Sequence, residues 1–210
     1  MTDYTLVIGN KNYSSWSMRA WLILKATGAE FKEILIPLDQ ENSKRDILHY
    51  SPSGFVPVLL VDGTPIWDSL AIGEYLAQQF PKAHLWPKDP LVCAHARSVS
   101  AEMHSGFQGL RSKRSVDMKK RETRPADPAV DKDVARIEQI WADARAIAEP
   151  GDFLYGGFTI ADAMYAPVVG RFITYGIAVG KDSKRYMETI SGMPAYKEWY
   201  EAAVKEPWVL

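Results

Sequence analysis

The stretch "YTLVIGNKNYSSWSMRAWLILKATG", residues 4–28, decides how the chain begins to fold. "YTLVIG" is rich in branched apolar residues and reads as a strand, whereas "SWSMRAWLILKATG" spaces its apolar residues helically and stops at Gly28. "EFKEILIPL" supplies a second strand, and strand, helix, strand implies a right-handed parallel crossover. Three serines crowd the helix start. They either cap the helix or hold a reactive group there.

Working outward, "SKRDILHYSP" reads as a short helix that must end before Pro52. "VPVLLVDGTPIWD" reads as two short strands turned at Asp62-Gly63, a hairpin signal. "SLAIGEYLAQQFP" carries Leu70, Ile72, Leu76, Ala77 and Phe80 as a helix, with Ser69 as its expected cap and Pro81 as its stop. The order is βαβαββα, a first domain over residues 1–82. Pro87 and Pro90 then bracket a linker, and no strand pattern follows, which predicts an all-helical second domain over 90–210. One helix is expected from Leu91 to about Arg111. Another carries Val130, Val134, Ile137, Ile140, Trp141, Ala144 and Ile147 on one stripe. A third opens at Thr159 with Asp162 in capping-box spacing and meets Pro167, where a kink is expected. A last amphipathic helix starts at Pro194.

Composition narrows the function. The 210 residues are 47% hydrophobic, enough for a packed core, and carry a net charge of −1. With a pI near 6.4 there is no global reason to bind nucleic acid. No window approaches the roughly 18 unbroken apolar residues of a membrane span, and no leader pattern precedes the first strand, so a cytoplasmic protein is expected. Cys93 is the single cysteine, and His49, His84, His95 and His104 are scattered, so no metal site is expected. "GLRSKRSVDMKKRETR" holds seven basic residues against two acids, an excess suited to attracting an anionic substrate, but reads first as a solvated helix end and loop.

A βαβαββα module followed by helices, with "SSWSMR", "FVPVL", "WDSLAIGEYL" and "FTIADAMYAP" in this order, resembles the cytosolic glutathione transferases. The match covers essentially the whole chain. The serine-rich turn is most similar to the zeta-like group, whose pattern is Ser-Ser-Cys-Ser-x-Arg. The resemblance implies a thioredoxin-like first domain that binds glutathione, a helical second domain that contributes the electrophile site, and a homodimer. The expected activity joins glutathione to a small hydrophobic electrophile or reduces a peroxide. Two alternatives stand beside it: a maleylacetoacetate-type cis-trans isomerase, and a noncatalytic carrier or adaptor.

The helix N-terminus has a chemistry of its own. Free N–H groups and the positive dipole end favour an anion, and a thiolate is one. A free thiol has a pKa of about 8.5, so lowering it about two units needs roughly 2.7 kcal/mol. One hydroxyl hydrogen bond to a charged group contributes about 1.5–3 kcal/mol and the dipole roughly 0.3–1 more, so a single serine suffices. By the resemblance Ser14 is the expected donor, Ser15 the next, and Tyr13 the rival. Arg19 matches the pattern's arginine and is expected in a structural ion pair.

The resemblance further implies that Pro57 is cis and that Val56 pairs with the cysteinyl backbone of glutathione. Asp68 and Ser69 suit its γ-glutamyl amino and carboxylate groups, and Lys44, or Asn42, its glycyl carboxylate. Trp16, Phe107 and Arg111 are the candidates for the electrophile site, Met103, Phe107, Leu110 and Arg111 being split between core and cleft. Two departures bear on the isomerase. Trp16 stands where the zeta pattern has cysteine, and Thr174 where the family's substrate-binding arginine would fall.

Overall fold

The computed structural model describes residues 2–208. Strand β1 (Tyr4–Ile8) leads to α1 (Ser15–Thr27), β2 (Lys32–Leu35), α2 (Ser43–Tyr50), β3 (Val58–Val61), β4 (Thr64–Ile66) and α3 (Ser69–Gln79). The sheet order is β2-β1-β3-β4. β1 runs parallel to β2 with Leu6 opposite Glu33, and antiparallel to β3 with Leu6 opposite Leu59. β1 lies at the centre of the sheet and is buried on both faces, which is why "YTLVI" is apolar throughout. Its period of two still separates the faces: Leu6 and Ile8 join the main core with α1 and α3, while Val7 meets Val58, Ile36 and Ile47 on the α2 side. The β3–β4 turn holds Asp62 and Gly63 at φ 49° and 84°, the pair of positive angles that a two-residue hairpin requires.

The helical half follows a single 3₁₀ turn at Pro81–Ala83 and comprises α4 (Pro90–Ser105), α5 (Gln108–Lys113), α6 (Pro128–Ile147), α7 (Ile160–Tyr175), α8 (Lys181–Gly192) and α9 (Pro194–Lys205). α4 and α6 open alike: Asp89 and Asp127 accept hydrogen bonds from backbone N–H groups two and three residues on, and proline fills the first helical position, where no donor is lost. The expected helix to Arg111 is in fact two. It breaks at Gly106, and Phe107 takes a left-handed φ of 61° before α5. α8 carries only Ser183, Tyr186 and Ile190 as buried residues, a stripe too thin to stand out in the sequence. On α6 the expected stripe is buried except for Ile147, which is exposed at the last turn.

α7 lies at the centre and is buried on nearly every side, so its sequence is apolar all round rather than amphipathic. It runs unbroken through Pro167. The capping box expected at its start is formed. Asp162 accepts from the Thr159 N–H (2.8 Å) and Oγ1 (2.9 Å), and also from the Leu154 N–H (3.0 Å) and the Tyr186 hydroxyl (3.1 Å). Its carboxyl is fully buried. Desolvation pushes its pKa up to about 6 against the pull of those four donors.

The folded chain therefore holds the Asp162 proton more tightly than the unfolded chain does. This group's contribution to stability is greatest below pH 4 and declines as pH rises through about 6. Asp162→Asn cannot ionise, so denaturant melts should show the stability difference, wild type minus variant, falling by roughly 2 kcal/mol from pH 4 to pH 7. A constant difference would refute the assignment.

Candidate functional site

Residues 10–13 carry the chain from β1 to the tip of α1 as a tight turn. The Ser14 N–H donates to the Asn10 carbonyl at 2.8 Å. Distant segments clamp this turn. The Lys11 and Asn12 N–H groups donate to the Glu206 carboxylate at 2.6 and 3.1 Å, and Asn12 accepts from the Met118 and Lys119 N–H groups. The helix tip is thereby fixed by the segment between α5 and α6 and by the residues after α9.

Ser14 is the N-cap of α1. Its hydroxyl accepts from the Ser17 N–H (3.3 Å) and donates to Ser17 Oγ (2.8 Å), which in turn accepts from the Gly9 N–H (3.0 Å). Its one proton is thus committed inside the helix turn. Ser15, the first helical residue, makes no side-chain hydrogen bond among the described residues. Trp16 follows and enters the wall of a cavity of about 260 Å³, completed by Ser53, Phe55, Val56, Pro57, Trp67, Asp68, Ser69 and His104. The structure thus brings together Trp16, Val56, Pro57, Asp68 and Ser69 out of the expected set. Ser14 and Ser15 lie at the helix tip beside this wall. The Val56–Pro57 bond is cis, as expected.

Ser69 is not the cap of α3. Asp68 is, its Oδ1 accepting from the Leu70 N–H at 2.9 Å, because its shorter reach from the position before the helix returns to the first turn. That leaves the Ser69 hydroxyl buried with no partner among the described residues. An orphaned polar group on a cavity wall is stabilised by whatever ligand supplies its partner. Lys44 is not in the wall. Its ammonium donates to the Gly54 carbonyl (3.1 Å) and sits 4.7 Å from the Phe55 ring centroid, holding the loop that is. Gly54 has φ +68°, and a Cβ there would lie 2.4 Å from the Lys44 nitrogen. Asn42 makes no capping bond at the start of α2.

The electrophile candidates divide. Phe107 is packed into the core and does not reach the cavity. Arg111 donates to the carbonyls of Gly106 (2.8 Å), His104 (3.3 Å) and Met103, closing the C-terminus of α4 where the chain breaks. Its guanidinium also stands 4.9 Å from the Trp16 ring centroid. Neither Arg111 nor the buried Arg114, which donates to the Pro125 carbonyl at 2.6 Å, belongs to a solvated loop, so the bland reading of the basic stretch fails at these two positions.

Arg19 forms no ion pair among the described residues, contrary to expectation. It is wholly buried, donates from Nε to the Met164 carbonyl (3.0 Å), and places its guanidinium 4.3 Å from the Trp16 centroid, leaving Nη1 without a partner among the described residues. Burial first, then the charges of Arg111 and Arg171, press its pKa well below the usual arginine value. Burial and Arg111 likewise lower Arg171 to about 10. Thr174 is buried and donates to the Asp117 carbonyl at 2.9 Å. His104, which the sequence left among scattered histidines, meets Asp68 across 36 residues, and no local pattern could have signalled it.

A thioredoxin-like sheet domain followed by an all-helical half, with a cis proline opening β3 beside a helix tip, defines the class of protein. Family models for the N-terminal and C-terminal domains of glutathione S-transferase match residues 13–79 and 122–202. The chain belongs to the glutathione S-transferase family. It is 42% identical over 96 residues to a probable maleylacetoacetate isomerase of Caenorhabditis elegans, a match that spans 46% of this chain and 44% of that protein. It is 34% identical over 82 residues to a probable glutathione transferase of Aplysia californica, 39% of this chain and 87% of that protein. The chain thus matches less than half the length of the isomerase relative. A Burkholderia glutathione transferase homologue solved with bound glutathione superposes over 97% of this chain and 100% of its own, with a TM-score of 0.74 at 24% identity, which shows a shared fold.

Replacing Arg111 with Met keeps an unbranched side chain but strips three N–H donors from the end of α4 and the guanidinium from Trp16. Thermal or urea unfolding should show a loss of about 2–4 kcal/mol, and a loss under 1 kcal/mol would remove the closing role assigned here.

Proposed function

We propose that the chain is a glutathione transferase that binds the tripeptide in the cavity between α1, the cis-Pro57 turn and the start of α3, and directs its thiolate at an electrophilic carbon or a peroxide. The observation that carries this reading is the convergence, on one wall, of the backbone at Val56 before the cis proline, a half-exposed carboxylate at Asp68 and a buried Ser69 hydroxyl with no partner among the described residues. These are an N–H and C=O pair for a peptide, an acceptor for an ammonium and a donor for a carboxylate.

The thiolate then falls at the tip of α1. Ser14 is occupied as the cap, so its proton has to leave Ser17 before it can serve the sulfur. Ser15 has no such prior bond. We therefore assign the activating hydrogen bond to Ser15, with Ser14 holding the helix turn that aims it. The dipole of α1 adds to the effect, and no general base is needed.

A second reading, isomerisation of a maleylacetoacetate-type substrate, is favoured by the names of the relatives and by the positive charge that Arg19 and Arg111 bring behind Trp16, with Arg171 near both and no carboxylate in ion-pair contact among the described residues. Against it, Thr174 is buried and already hydrogen-bonded. The carrier reading differs in chemistry: it predicts tight binding with an unshifted thiol.

Ultraviolet absorbance of bound thiolate separates these. In Ser15→Ala the pKa of bound glutathione should rise by about one to two units and kcat/KM fall roughly 10–100-fold. Ser14→Ala should cost about 1 kcal/mol of stability through the lost cap, with a smaller thiol shift. An unshifted thiol in Ser15→Ala together with a large shift in Ser14→Ala would transfer the role to Ser14, and no shift in either would point to Tyr13. The reading also includes a homodimer, supported by exposed Leu48, Phe55 and Leu91. Light scattering should return about twice the 23.6 kDa chain mass, and the single-chain mass would refute it.

A further inference from the structure

Nine residues form the cavity wall, and His104 alone among them comes from the helical half. Its Nε2 meets Asp68 Oδ2, and its ring stands edge-on to Trp16 with centroids 5.0 Å apart at 68°. We infer that His104 is a positioning residue for the ammonium end of glutathione, acting through Asp68. The inference rests on the glutathione reading above and adds a residue that neither the serine motif nor the cis-proline turn supplies.

The chemistry follows from the carboxylate's inventory. An ionised Asp offers about four lone-pair sites on two oxygens. The Leu70 N–H takes one on Oδ1 and His104 takes one on Oδ2, so each oxygen keeps one site for an incoming ammonium. The side chain of Asp68 is 48% exposed, and with the cap bond alone its plane would be pinned at a single oxygen. The second bond fixes that plane before a ligand arrives and so lowers the ordering cost of binding. His104 can do this because its own helix end is closed: Arg111 donates to the carbonyls of Met103, His104 and Gly106. The bond also places a proton on Nε2, in the neutral ring or in the charged one.

Calorimetric titration of the full chain tests this with two ligands: glutathione, and its deaminated analogue glutaryl-cysteinyl-glycine, which has no ammonium. His104→Phe keeps a ring against Trp16 and loses the bond to Asp68. His104→Gln restores an N–H donor without the ring. The phenylalanine variant should bind glutathione roughly tenfold more weakly than wild type while binding the analogue with unchanged affinity, and the glutamine variant should recover glutathione affinity to within about threefold. Equal weakening for both ligands would make His104 a packing residue and overturn the inference, as would no weakening or no recovery in His104→Gln. Should His104→Phe fail to fold by circular dichroism, His104→Leu carries the same comparison. A wild type that binds no glutathione would bring down the functional reading itself, and this inference with it. Wild-type binding that His104→Phe leaves intact would bring down only the inference.

Discussion

The burial of α7 on nearly every side constrains everything around it. A helix with no solvent face must have each polar group satisfied from within, and this one does so at its N-terminus with a single carboxylate, Asp162, which gathers three donors from its own loop and one from Tyr186 of α8. The same helix offers its Met164 carbonyl to Arg19 of α1. The helix whose tip lies beside the cavity is thus tied directly to the centre of the helical half. Neither half could shift far without breaking that bond and exposing the core they share.

From this arrangement the cavity follows as a seam. Its lower wall is sheet-domain backbone, at Val56 and the cis-Pro57 bond, and its end is the start of α3. Its roof is Trp16, backed by the guanidinia of Arg19 and Arg111 and edged by His104. Trp16 therefore does more than fill the place of a cysteine. Its π-face stabilises buried positive charge that has no carboxylate in ion-pair contact among the described residues. A smaller residue there would leave Arg19, already short of a partner at Nη1, with less still.

The local elements were legible because each is written in a short-range code. Gly28 ends α1, Asp62-Gly63 turns the hairpin, and Thr159 with Asp162 opens α7, all through interactions within a few residues. The misread features have longer-range causes. Gly106 and Phe107 break a helix that periodicity would have continued, and the break is held by Arg111 reaching back to three carbonyls. Ser69 read as a cap until the position of Asp68 was known, since both residue types cap well and only geometry chooses between them. Arg19 read as half of an ion pair because its charge opposes the dipole near the N-terminus of α1, whereas here a carbonyl and an indole ring take that place.

By itself, then, the order of residues determined the βαβαββα module, the helical half after it, and the set Trp16, Val56, Pro57, Asp68 and Ser69 that meets at one cavity. The elements follow from periodicity and turn chemistry, which act along the chain, and the site set from the family resemblance that the motifs carry. Only the tertiary structure decided which serine has a hydroxyl to spare, where Arg111 spends its donors, and that His104 completes the carboxylate of Asp68. Those outcomes depend on which hydrogen-bond partners arrive from elsewhere, and a donor with a choice of acceptors declares itself only when the competing elements have packed.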